Sequence, residues 1–142
     1  MIGSGQDKAE TLRNAGDATT VTWHDWTPAA DLPRLVAAHD VCLGIFGTGP
    51  KALRVVPNKV YQGAAAGCAI ITSDTPPQRR ALGDAARYVP PGDAAALADA
   101  IAELAEQPER LAELKHAASN AARERFTPGK IVEPLLAKLA EL

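Results

Sequence analysis

Short apolar runs alternate with stretches of helical periodicity along this chain, and that alternation narrows the choice of fold to one class. The candidate strands are Met1-Ile2, Thr20 to Trp23, Val41 to Phe46, Ala69 to Thr72 and Ala86 to Val89, each bounded by Gly, Pro, Asp or Ser. Helical patterns fill the spaces between them, near 6–15, 30–38, 58–66 and 77–83. Strands that take turns with helices build βαβ units, and strands without polar alternation are covered on both faces. The expectation is an α/β protein: a doubly wound parallel sheet with helices on both faces.

Several boundaries carry their own chemistry. Thr75-Pro76-Pro77-Gln78 has the spacing of a capping box, in which the Thr hydroxyl and the Gln amide satisfy amides at a helix start. Gly92-Asp93 precedes a helix whose Leu97, Ile101 and Leu104 share one face. Pro108 opens the next helix, with Leu111, Leu114 and Ala118 on its stripe. Thr127-Pro128 starts the last, which carries Ile131, Leu135, Leu139 and Leu142. The beginning is abrupt by comparison. Gly3-Ser4-Gly5 reads as the turn after a strand of which only two residues precede it, so an upstream segment is expected to be missing.

With 142 residues and no repeat, linker or low-complexity tract, residues 1–142 read as one compact unit. The net charge of −2 and the scattered basic residues supply no field for nucleic acid, and no partner of that kind is expected. No apolar run is long enough to span a membrane, and the apolar faces of the C-terminal helices read as packing within the domain. Cys42 and Cys68 each lie inside an apolar stretch and read as buried small hydrophobes, which suits a reducing cytoplasm.

The stretch from Gly44 to Asp74 reads as a strand, a long irregular loop, a helix starting at Pro57-Asn58, a turn at Gly67 and a second strand. Ligands of open α/β sheets settle beyond the carboxyl ends of the strands, where loops of this kind gather. Lys51, Arg54 and Lys59 stand here beside glycines and a helix start, a combination able to hold an anion. Physics alone leaves two readings open, a phosphate site and a solvated basic loop.

Phe46-Gly47, Pro57-Asn58-Lys59-Val60-Tyr61-Gln62, Ala65-Ala66-Gly67 and Ile71-Thr72-Ser73-Asp74 together resemble the donor-site signature of group 1 (family 4) glycosyltransferases. Weaker similarity flanks them at Ile2-Gly3-Ser4-Gly5, Val21-Thr22-Trp23, Leu35 to Phe46 and Pro90-Pro91-Gly92-Asp93. The resemblance implies the C-terminal, Rossmann-like domain of a GT-B fold, which binds a nucleotide-diphosphate sugar and needs neither metal nor cofactor. It implies glycosyl transfer with retention at the anomeric carbon. The family's first strand and helix of this domain, and its N-terminal acceptor domain, have no counterpart here, so no catalytic residue is assigned and the isolated chain is expected to be inactive.

By the same resemblance the donor sugar and diphosphate would meet Gly47, Thr48, Lys51, Arg54, Asn58 and Lys59. Gln62 would reach the ribose, and Trp23, His24 and Trp26 would form the base pocket. The family motif places glutamates where this chain has Arg54 and Gln62. A guanidinium cannot accept a hydrogen bond from a sugar hydroxyl, and an amide oxygen accepts without full charge. These two departures keep a degenerate nucleotide-binding domain open as an alternative, with a GT-B nucleotide-sugar epimerase as another.

Other residues read more plainly. Gly3-Ser4-Gly5 lacks the third glycine of a dinucleotide fingerprint, since position 8 is Lys8. His24, His39 and His116 have no metal-ligand spacing. Trp23 and Trp26 fit core packing as well as a base platform. A missing strand would leave a sheet edge free to pair with a second copy of the chain.

Overall fold

The computed structural model describes residues 1, 5 and 7–141. The expected Met1-Ile2 strand, the Gly3-Ser4-Gly5 turn and the end of the last helix at Leu142 fall wholly or partly outside them. The chain forms two compact units, Met1–Pro33 and Arg34–Leu142.

In the first unit, α1 (Lys8–Ala15) ends at Gly16, whose φ of 54° lies in the left-handed region that glycine tolerates. The expected strand from Thr20 to Trp23 does not form. The Met1 amino group donates to the Thr22 carbonyl and the His24 amide to the Met1 carbonyl at 2.8 Å, giving one isolated bridge at His24. Val21 is drawn instead into a turn, its amide donating to the Ala18 carbonyl.

In the second unit three parallel strands lie in the order β1-β2-β3: β1 (Val41–Leu43), β2 (Ala69–Ser73) and β3 (Arg87–Val89). Every residue of β2 is buried. That follows from its central place, because helices cover both of its faces and no side chain needs to be polar for water. The two-residue alternation of a strand then sorts the core. Ile70 packs with Val60 and Ala64 of α3 (Asn58–Ala65), Leu82 of α4 (Pro76–Leu82) and Ala118 of α6 (Pro108–Arg125). Ala69 and Ile71 pack oppositely, with Ala100 and Leu104 of α5 (Ala94–Glu106) and with Leu114 of α6. α2 (Leu32–Ala37) leads into β1, and the Cys68 thiol donates to the carbonyls of Val36 and His39 behind it.

The α/β parallel architecture is as expected, and most helix starts are where their chemistry puts them. Asp93 caps α5 by accepting from the Ala96 amide at 2.9 Å. Three further expectations need correction. The capping box at Thr75–Gln78 is absent: Thr75 precedes α4 but its hydroxyl makes no cap bond, and the Gln78 side chain turns the other way, to the Val55 carbonyl. On α5, Ala100 rather than Ile101 joins Leu97 and Leu104 at the core, and Ile101 stays 43% exposed, because the small Ala100 lets the helix approach the sheet. The apolar stripe of α7 (Pro128–Leu139) is not buried: Ile131, Leu135 and Leu139 are all more than half exposed.

Candidate functional site

Because the strands are parallel, their carboxyl ends share one edge of the sheet, and the three following loops gather there. The loop after β1 runs from Gly44 to Pro57, with a 3₁₀ turn at Ala52–Arg54. It follows β2 for two residues beyond the strand: the Gly44 amide donates to Ile71 at 2.8 Å, and the Ser73 amide to Ile45 at 3.3 Å. Two neighbours then pin it. The Gly92 amide donates to the Phe46 carbonyl at 2.7 Å, and a Cβ on Gly92 would lie 2.7 Å from the Thr48 methyl. Gly92 also has φ of 77°, so conformation and space both call for glycine there. Farther along, the Gln78 amide donates to the Val55 carbonyl at 3.3 Å.

Helix α3 shows why its residues divide as they do. Val60, Gly63 and Ala64 are its buried face, and Gly63 rides directly over Cys42, where a Cβ would come within 2.6 Å of the sulfur. The Cys42 thiol donates to the Lys59 carbonyl at 3.3 Å, locking the first turn of α3 to β1. Asn58, Lys59 and Gln62 are left exposed, and Asn58 and Gln62, four residues apart, share one face. No acidic residue stands in the first turn and no side chain caps it. Its positive dipole end is therefore left without an acidic or capping side chain, in a turn that also carries Lys59, whose pKa is lowered by the protein packed around it.

The structure brings Gly47, Thr48, Lys51, Arg54, Asn58 and Lys59 onto one continuous loop-to-helix segment, all exposed. Trp23, His24 and Trp26 belong to the first unit. There Trp26 is 77% exposed, which removes it from the core, while Trp23 is half-buried with the Lys8 ammonium 5.6 Å from its ring centre. Asp25 pairs with the same Lys8. Among the described residues no group of three or more His, Cys, Asp and Glu is placed to hold a metal, and no helix is long and apolar enough to cross a membrane. An open groove lined by Thr127, Lys130, Glu133 and Leu136 runs along α7, and it shares no residue with the loops at the carboxyl edge of the sheet.

Sequence reasoning named these positions but did not foresee that four polar residues at this edge are buried. Among the described residues, the buried side-chain oxygens of Thr72, Ser73, Thr75 and Gln78 have no hydrogen-bond partner. The signal was present in Thr72-Ser73-Asp74-Thr75, an unbroken polar run closing a core strand, but it reads equally well as a turn. Next to it, Arg79 makes a two-pronged pair with Asp74, 2.8 Å for each prong, and stacks 3.9 Å from the Tyr88 ring centre. Hydrogen bonding from Arg79, and then its charge, hold the Asp74 carboxyl below its ordinary range. A lowered carboxyl pKa contributes stability above the unfolded value near ~3.9, and the contribution fades as pH falls through the folded value. Both partners are about half exposed, so the effect is small. Asp74→Asn should lower the melting temperature slightly at pH 7 and not at pH 2, read by circular dichroism melts of both proteins.

A model of the family described as glycosyl transferases group 1 matches residues 1–107, which include both compact starts and every residue of the loop-to-helix segment. The chain belongs to this family. Solved structures agree on the fold of this group 1 glycosyltransferase chain. Anabaena HepE in complex with UDP-glucose superposes with a TM-score of 0.77 at 20% identity, over 99% of this chain and 40% of that one. The same protein with UDP and glucose gives 0.75 at 20% identity, over 94% and 35%. With UDP it gives 0.71 at 18%, over 94% and 36%. The chain thus spans well under half the length of the structures it matches. A search of curated proteins gave no significant match.

Proposed function

We infer that this chain is the nucleotide-sugar-binding domain of a glycosyltransferase that moves a glycosyl group from a nucleotide-diphosphate sugar to an acceptor. The observation that carries this reading is the uncapped, acid-free start of α3 beside Lys59, reached through the basic loop that holds Lys51 and Arg54. Diphosphate charge grows as the glycosyl bond breaks, and fixed amides and cations aimed at it lower the barrier. Gly47 and Thr48 would lie against the sugar, and Gln62, on the same helix face as Asn58, would meet the ribose. Transfer would proceed with retention and without a metal or other cofactor, in the cytoplasm. The acceptor would be held by a separate domain, and this domain's first strand and helix, outside the present sequence, would complete the diphosphate clamp.

Since the similar HepE structures hold UDP and UDP-glucose, uridine nucleotides are the first to test. Ligand-observed NMR at about 1 mM detects binding near −4 kcal/mol. Selective broadening of UDP over GDP and ADP is expected, and Lys59→Ala should weaken it about tenfold, the worth of a charge-assisted hydrogen bond. Absence of binding by all three diphosphates would overturn the reading. Arg54 and Gln62 favour a second reading, nucleotide binding without transfer. Tighter binding of UDP-glucose than of UDP supports the first reading, and equal binding the second.

A further inference from the structure

The geometry points to Gln78 as a positioning residue that holds the loop between β1 and α3 in its binding shape, a role that rests on the functional reading of that loop. Gln78 is fully buried on α4, where a side chain of this kind needs a reason to be polar. Its Nε2 donates to the Val55 carbonyl at 3.3 Å, and the acceptor's identity fixes which end of the amide faces it. Val55 is the residue after the 3₁₀ turn and directly follows Arg54, two residues before Pro57, which immediately precedes α3. Within that turn the bonds are local, from Leu53 to Gly49 and from Arg54 to Lys51. They shape the turn without tying it to the body of the domain. Gly92 pins the front of the loop at Phe46, and Gln78 pins its rear.

The other end of the amide makes this more than packing. The Gln78 Oε1 is buried with no partner among the described residues, a disposition that costs stability. An apolar side chain of similar length would fill the same space and remove that cost. Gln78 therefore holds the loop at the expense of the fold, and its replacement should separate two properties that a structural residue moves together.

The test is Gln78→Met in the full chain, with melting temperature, amide hydrogen exchange across residues 51–56, and binding of UDP and UDP-glucose by ligand-observed NMR. The expected result is an equal or higher melting temperature. Exchange at Leu53 to Val56 should be about fivefold faster, the factor corresponding to one modest hydrogen bond, and UDP-glucose binding should weaken by a similar factor. Unchanged exchange in a folded Gln78→Met protein would overturn the proposal. A fall in melting temperature with uniformly faster exchange throughout the domain would do so too, since it marks a merely structural residue. If the unsubstituted chain binds no nucleotide, the functional reading fails, while the exchange measurement still decides whether Gln78 holds the loop.

Discussion

Gly44→Ala should destabilise the protein by about 3 kcal/mol, at the upper end of the usual cost of overpacking a core. A methyl group at this position would sit 2.1 Å from the Thr72 hydroxyl oxygen, 2.6 Å from the Thr72 Cβ and 3.2 Å from a Val60 methyl. None can give way easily, because Thr72 and Val60 are fully buried and Thr72 lies on the central strand. Moving Gly44 instead would stretch its 2.8 Å bond to the Ile71 carbonyl, where the chain leaves β1 for the loop. Nucleotide binding should therefore fall along with stability. Urea denaturation of the variant gives the number, and Thr72→Ala in the same chain should recover part of the loss by removing the nearer of the two contacts. An unchanged denaturation midpoint for Gly44→Ala would contradict the close approach of these two backbones.

Ile70→Ala should have a similar or larger effect, a loss of 2–5 kcal/mol by analogy with other large-to-small core changes, or about 10 °C in melting temperature. Ile70 is wholly buried at the centre of β2, packed among residues of α3, α4 and α6. Two β-strands and three helices meet around it, so little collapse is available to fill the space left behind. Ile70→Val, which removes one methylene, should cost about 1 kcal/mol. Ile131→Ala on the exposed stripe of α7 is the natural control, since that side chain is 63% exposed and should shift stability very little. Equal losses at positions 70 and 131 would mean that the core is not where the structure puts it.

The sequence by itself determined the class of fold and singled out one candidate segment for the chemistry. Apolar runs such as Ala69 to Thr72, with no polar alternation, demand cover on both sides, and Pro57-Asn58, Gly92-Asp93 and Pro108 mark helix starts through backbone constraints that act locally. Lys51, Arg54, Asn58 and Lys59 stood out as candidates because cations, glycines and a helix start lie within a few residues of one another. Tertiary structure decided what depends on partners distant along the chain. The apolar stripe of α7 has good helical spacing, yet nothing in its own residues fixes whether another element covers it, and here it lies open. Thr75 to Gln78 had the spacing of a capping box, but spacing does not compel a side chain to bond locally. Gln78 found the Val55 carbonyl 23 residues away because α4 packs beneath the loop. Gly44 and Gly92 look like ordinary turn glycines until Thr72 and Thr48 are brought against them. Local chemistry sets where elements begin and what they carry; which atoms touch across them is set by how the sheet and helices close around one another.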